Sequence, residues 1–474
     1  MNIIIYSTNS NNFDGPTYHY TNLPSNAKNT ERVLTDFFGA DCFEKHHFTL
    51  VSELPGMFLL DLEGNELAEK SQHFEYKILP QGENSPEEVA ALIEDSKPDL
   101  VIAATYWVTP FDWLPIKDAQ VAEILKSKGI KVICNSLDVS LMSFDKIQTH
   151  SFLELNGFPV AKAVYVHHEL FWAERNRAEL KENPYKESVF FRIKNMNFPV
   201  IIKDTSGLSS YGMEVCNTFG QVKNFLNGKK NNGDKIVEEF VKGPQFAMEI
   251  WGTPESGYRV FKPFMVSVNQ YGITSPKQSV KIGPVGGTEA SVGGTEVLAG
   301  GTCKQDGGTN TSTGGSGTHE CVFPIAALNS ELLRLAKLIK VKGICQVDFG
   351  WDEENKRWVI FELNPRLSGM SQLQFESQLG CPRGKERPAM SLKFPILERE
   401  VLQKLSSMSF VKHVTQTVND QAKQNREHGY CEVVLTAETF AQLRENLITL
   451  DKEFSAFMEK SFFNTAMKLF ECLK

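Results

Sequence analysis

The chain has 474 residues, enough for roughly two to four domains, and its 41% hydrophobic and 23% charged composition is that of an ordinary globular protein. Lys and Arg number 50 against 58 Asp and Glu, a net charge of −8; this argues against nucleic acid or an anionic membrane as the main partner, while leaving room for an anionic nucleotide in a locally basic cleft. No run approaches the ~20 apolar residues of a membrane span, and nine scattered cysteines without a C-x-x-C pair predict reduced thiols in a cytoplasmic protein, with neither a disulfide framework nor a zinc site.

The N-terminal run has no basic segment before it and reads as a first strand over 2–7 (NIIIYS), not as a signal peptide. A polar stretch follows from Asn9 to Asn29, then a helix over about Thr30 to Phe38. Pro98–Thr105 reads as a strand, Asp118–Lys128 as an amphipathic helix with Val121, Ile124 and Leu125 on one face, and Ile130–Cys134 as another strand. Strands alternating with helices predict an α/β unit with a doubly wound parallel sheet over residues 1–142.

Ser143–Val160 reads as a helix with Lys146 near its start, stopped at Gly157 and followed by a strand. Val200–Ile202 is a strand with Lys203 at its end, and the following loop holds Gly207, Ser209, Ser210 and Gly212. Small residues let backbone N–H groups approach a phosphate, and serines add hydroxyl donors. Ile236–Met248 (IVEEFVKGPQFAM) is a strand, a turn and a second strand. The tract Gly283–Gly317 repeats G-G-T and has too few large apolar residues to build a core, so a surface insertion is expected there. Glu331–Lys342 reads as a helix with Leu332, Leu335, Ala336 and Ile339 inward, capped by Gly343.

Cys345–Phe349 and Trp358–Leu363 then form the two strands of a hairpin around a polar turn. The expected register sets Asp348 beside Glu362, with Asn364 on the face of Glu362. Two carboxylates and one amide oxygen on a single surface suit Mg²⁺ carrying substrate phosphates. Arg366 follows and is placed to neutralise a phosphoryl or carboxylate group. Beyond Gln378, residues 380–428 read as irregular with two short helices, and Gly429–Asp451 as a strand and a helix.

The D-F-G at Asp348–Gly350 followed by E-x-N-P-R at Glu362–Arg366 resembles the metal-binding end of the ATP-grasp ligases. The Lys146 segment and the P-V-I-I-K stretch ending in Lys203 resemble further motifs of that family, in the family's order over roughly residues 118–372. The resemblance implies an ATP-grasp fold, with an N-terminal domain over 1–142, an ATP-grasp domain of two subdomains over 143–380 interrupted by the Gly-rich insertion at about 283–318, and a small C-terminal α/β unit over 381–474. It implies that Lys146, Lys203, Ser209, Ser210 and Gly212 hold nucleotide phosphates, that Glu238, Glu239 and Val241 line adenine, and that Gln245, with Glu249 as a substitute, meets the ribose. Asp348, Glu362 and Asn364 would bind Mg²⁺ (or Mn²⁺), and Arg366 with Lys203 would serve the acyl phosphate.

The implied activity is ATP-dependent ligation of a carboxylate to an amine, with amino acids or small peptides as substrates and a dimer as the common assembly among relatives. L-amino-acid ligases fit best. Asp204, Leu208 and Gln346 depart from the D-alanine–D-alanine ligase pattern, and Gln245 departs from the family's ribose-binding Glu. A biotin-carboxylase-like or nucleotide-biosynthetic enzyme, or a non-catalytic ATP-binding protein of the same fold, remains the alternative. The D-F-G does not indicate a kinase, because no H-R-D precedes it.

Overall fold

A computed structural model describes residues 1–8, 17–20, 31, 34–35, 38–53, 72–79, 84–104, 114–206, 213–274, 279–286, 323–378, 381, 386–395, 397–417, 431–454, 458 and 460–473. Ser209, Ser210, Gly212 and the Gly-rich tract from residue 287 lie outside them.

Alternate residues of β1 (Asn2–Ser7) are buried on opposite faces, Ile3 and Ile5 on one and Ile4 and Tyr6 on the other, as a strand covered on both sides requires. With β3 (His47–Glu53), β4 (Phe74–Leu79), β5 (Leu100–Ala103) and β6 (Val132–Ile133) it forms a parallel sheet in the order β4-β3-β1-β5-β6. The helices Pro86–Glu94 and Leu114–Ser127 cover one face through Val89, Ile93, Val121 and Leu125. The strand order reverses between β3 and β5, as expected of a doubly wound sheet.

A second, antiparallel sheet has the order β7-β10-β8-β9, from β7 (Ala163–Val166), β8 (Val200–Asp204), β9 (Glu214–Cys216) and β10 (Lys235–Glu239). Val200, Ile202 and Val237 pack with Val189, Ile193, Val222 and Phe225 of the helices Pro184–Lys194 and Phe219–Leu226. Lys203 lies within β8, one residue before its end.

The third sheet contains β2 (Thr17–Tyr20), β11 (Gln245–Thr253), β12 (Gly257–Val260), β13 (Phe264–Val266), β14 (Ser279–Gly283), β15 (Gly343–Asp352), β16 (Arg357–Asn364), β17 (Ala389–Phe394), β18 (Val411–Thr417) and β19 (Cys431–Thr436). Its order is β16-β15-β11-β13-β14-β17-β19-β18-β2, with β12 paired to β11. Phe246, Met248, Ile250, Val347 and Phe349 face the helix Ile325–Ile339. Ala247, Phe264, Ala389 and Val434 face the helix Gly369–Gln378 on the other side.

Three features differ from expectation. A strand, β2, arises within the polar stretch 9–29 and pairs with β18 across the whole fold. Strands β17, β18 and β19 join the hairpin's own sheet, so the boundary expected at 380 falls inside one hydrogen-bonded array. The long helix begins six residues before Glu331, at Ile325, and ends at Ile339 with Lys340 in the left-handed conformation (φ 53°), so Gly343 opens β15 instead of capping the helix. Among the described residues no helix is long and apolar enough to cross a membrane.

Candidate active site

Paired strands β15 and β16 bring the two acidic residues together. Asp348 is directly opposite Glu362 and Gln346 is opposite Asn364, with a register irregularity just after Asp348. The Gln346 side chain donates to Asp348 Oδ1 at 2.7 Å, and Asn364 donates to Oδ2 at 3.1 Å. Burial first, and then the facing Glu362, push the Asp348 carboxyl up to about 7 against these donors and against the charges of Lys281 and Arg366.

The next two residues complete the cluster. The Arg366 guanidinium donates to Asn364 Oδ1 at 3.0 Å and to the Leu367 carbonyl at 3.3 Å. Asn364 therefore turns its NH₂ to Asp348 and its oxygen to Arg366. Joining the two carboxylates as an oxygen ligand requires that amide to turn over.

Lys146 reaches the same place from another element. It opens the helix Lys146–Leu155, which Asp145 caps by accepting from the Ile147 and Gln148 N–H groups. Its own N–H donates to the Thr205 carbonyl at 2.8 Å, tying the helix start to the end of β8. Its ammonium is 3.5 Å from Glu362 Oε1, with both side chains largely buried. Lys203 points from β8 to Glu238 on β10, 2.5 Å away in a buried ion pair, and lies 5.7 Å from the Phe361 ring. Glu238 thus positions Lys203 in this state, beyond the adenine-lining place expected of it.

The other hinge residues are also partly engaged. The Glu239 carboxylate accepts from the Asn197 N–H at 2.9 Å and stands 3.8 Å from Lys162. The backbone N–H groups of Glu239 and Phe240 donate to the Lys162 and Pro199 carbonyls. Val241 packs with Ala161, Val359 and Phe361, joining the hinge to the hairpin. Gly243 fixes the turn: its φ is 149°, and a Cβ there would lie 2.1 Å from the Trp351 carbonyl oxygen. Gln245 donates to the Gly272 carbonyl at 2.9 Å.

Glu249, expected as a substitute for the ribose contact, is closed off from solvent. It is 0% exposed, its oxygens accept from Ser371 Oγ at 2.5 Å and Trp251 Nε1 at 2.8 Å, and burial pushes its carboxyl up to about 7. It clamps the start of the helix that follows Arg366.

Reasoning from the chain alone missed Lys281. Its strand, β14, follows a Ser-Pro-Lys stretch and opens the Gly-rich tract, so no local pattern marks it. Its register partners are Val266 and Ser391, on the face that carries Gln245 and, farther along β11, Ala247, the partner of Asp348. Lys281 is partly buried, and its charge acts on both Asp348 and Glu249. Among the described residues no group of three or more His, Cys, Asp and Glu side chains is placed to hold a metal; the acidic centre is two carboxylates and an amide.

No protein-family model and no curated protein matches the chain. Solved structures do. The L-amino acid ligase from Bacillus licheniformis matches with a TM-score of 0.56 at 15% identity, over 95% of this chain and 97% of that one. The biotin carboxylase domain of the Hydrogenobacter thermophilus 2-oxoglutarate carboxylase, in complex with MgADP, ADP and bicarbonate, matches with a TM-score of 0.58 at 10% identity, over 98% and 95%. N5-carboxyaminoimidazole synthetase from Staphylococcus aureus matches with a TM-score of 0.55 at 10% identity, over 94% and 96%. Shared over nearly the whole length of these chains, the architecture is that of the ATP-grasp fold.

Proposed function

We propose that this protein is an ATP-dependent ligase that activates a carboxylate as an acyl phosphate and couples it to an amine of an amino acid or small peptide. The observation that carries this reading is the partly buried Asp348–Glu362 pair with Lys146 3.5 Å from Glu362, Arg366 two residues beyond Asn364, and Lys203 on the second sheet. Acid and base are concentrated where a nucleotide triphosphate would need both.

A divalent cation fits this centre, because a carboxyl pushed up to about 7 beside a second carboxylate is only partly compensated by Lys281, Arg366 and the Lys146 beside Glu362. Asp348, Glu362 and, with its amide turned, Asn364 would hold Mg²⁺ (or Mn²⁺), which would polarise the γ-phosphoryl oxygens. Lys146 and Lys203 neutralise the phosphates, Lys203 being shared between Glu238 and the nucleotide. A carboxylate oxygen of the first substrate attacks the γ-phosphorus. The bond from that phosphorus to the bridging oxygen breaks, and its electron pair leaves on ADP. Arg366 and Lys281 stabilise the charge on the transferring group. The amine nitrogen next attacks the acyl carbon, the C–O bond breaks with its electron pair leaving on phosphate, and the nitrogen gives its proton to solvent.

Phosphate release with Mg²⁺ and ATP, across amino acids singly and in pairs and with mass spectrometry of the products, tests the reading. ADP, phosphate and an amide product with a defined acid–amine pair are expected. Tight MgATP binding without turnover on any pair would leave an ATP-binding protein and overturn the ligase. Bicarbonate belongs in the panel, since the similarity to a biotin carboxylase domain favours it as the competing acid; a carboxylated product would replace the amino acid reading.

A further inference from the structure

Beyond the acidic centre, the same face of the third sheet carries a second charged cluster, of which the mechanism above uses only Lys281. Lys393 on β17 stands diagonally across from Lys281 on β14, because Lys281 pairs with Ser391 and Ser279 pairs with Lys393. Diagonal positions of this kind are about 7–8 Å apart, within reach of long side chains. Each ammonium lies in the field of the other. Glu432 is the register partner of Lys393 on β19, and it is held by the Ser391 hydroxyl. Among the described residues the Lys281 ammonium makes no hydrogen bond or ion pair, although it is partly buried. Two cations brought together in a partly desolvated place, one of them unpaired, call for an anion.

We propose that Lys281 and Lys393 form a dibasic pocket for an acid substrate that bears two anionic groups: one carboxylate is activated beside Asp348 and Glu362, and the second is held by Lys393. This rests on the ligase reading and narrows its acid to dicarboxylates. Lys281 connects the two halves, since its charge acts on Asp348 on one side and on Lys393 on the other. Glu432 faces Lys393 and offsets part of its charge; a neutral amide in place of the second carboxylate adds no charge against the remaining Lys281–Lys393 repulsion and binds less well.

The test uses isosteric pairs that differ only in charge: L-glutamate against L-glutamine, L-aspartate against L-asparagine, and glutarate against its monoamide. Each is assayed for Mg²⁺- and ATP-dependent phosphate release, with a mixture of the amides of glycine, alanine, leucine and phenylalanine, which carry no free carboxylate, as amine. The charged member should have a kcat/KM about tenfold or more above its amide. Lys393→Met should raise KM for that acid about tenfold with a smaller change in kcat, and Lys393→Arg should restore it; melting curves establish that both variants fold. Equal turnover of charged and neutral acids, or an unchanged KM in K393M, overturns the dibasic pocket and leaves the ligase standing. If no acid is turned over, calorimetry of glutarate with MgADP present decides. Saturable binding lost in K393M supports the pocket without the ligase, and no binding overturns both.

Discussion

Burial and the facing Glu362 push the Asp348 carboxyl from 3.8 up to about 7, so the folded chain favours its neutral form. The sign follows. A folded-state pKa above the unfolded one gives stability that is full at acid pH and is lost as pH rises from about 4 through about 7. The ionised residue then costs up to about 4 kcal/mol in the cation-free protein. Asp348→Asn should therefore raise the melting temperature by a few degrees near about pH 8, with the gain fading near about pH 4, while abolishing turnover. Calorimetric scans at both pH values without Mg²⁺ check this; a loss of stability at the higher pH would mean that Gln346 and Asn364 already compensate the charge. Glu362→Gln removes the other carboxylate and also the partner of Lys146. It should lower kcat by about 10²-fold or more, in the range of a lost transition-state electrostatic contact. Single-turnover phosphate release measures it, and unchanged turnover would remove Glu362 from the acidic centre.

At the scale of the element, Glu249 joins β11 to the helix Gly369–Gln378, and the turn between Arg366 and that helix is held by its own bonds. The Ser368 N–H donates to Ser371 Oγ at 3.0 Å, and the Met370 N–H donates to Ser368 Oγ at 3.1 Å. Ser371→Ala takes a donor from a fully buried carboxyl and an acceptor from the Ser368 N–H, at a cost of about 1–3 kcal/mol. Because this turn leads directly from Arg366, kcat should fall with little change in the KM for ATP. Steady-state kinetics with a melting curve separate the two effects, and a rise in the ATP KM alone would show that the turn serves the nucleotide instead. The elements themselves were largely legible. Apolar runs marked β1, β8, β10 and the hairpin, and inward spacing marked the buried Leu332, Leu335, Ala336 and Ile339. Lys146, Lys203, Asp348, Glu362 and Arg366 each stand beside a local cue: a helix start, a strand end or the E-x-N-P-R run. Lys281, Glu249 and Lys393 have no such cue. Their meaning comes from strands paired across a hundred residues or more, as β14 is with β17, and short-range periodicity carries no record of that pairing.

The whole molecule is bound together by its least local pairing. Strand β2 belongs by position to the N-terminal unit, yet it pairs antiparallel with β18, matching Tyr18 to Gln416 and His19 to Thr415. It thereby closes one edge of the long sheet, whose other edge is β16 of the acidic hairpin. An uncovered edge presents unpaired N–H and C=O groups to any other strand. Along an antiparallel strand the N–H groups point alternately toward and away from the neighbour, so of Tyr18 and His19 only one donates to β18. Proline at that position removes the bond and blocks the approach of the strand, whereas proline at the other leaves the ladder bond in place. One of the pair Tyr18→Pro and His19→Pro should therefore lower the melting temperature and promote concentration-dependent self-association, and the other should do so much less. Sedimentation and scattering at several concentrations read the difference. Neither variant should change MgATP affinity, because β2 lies at the far end of the sheet order from Asp348 and Glu362. Equal and small effects of both would mean that β18 does not depend on β2 for cover; a drop in MgATP affinity would mean that the edge strand holds the nucleotide cleft itself in shape.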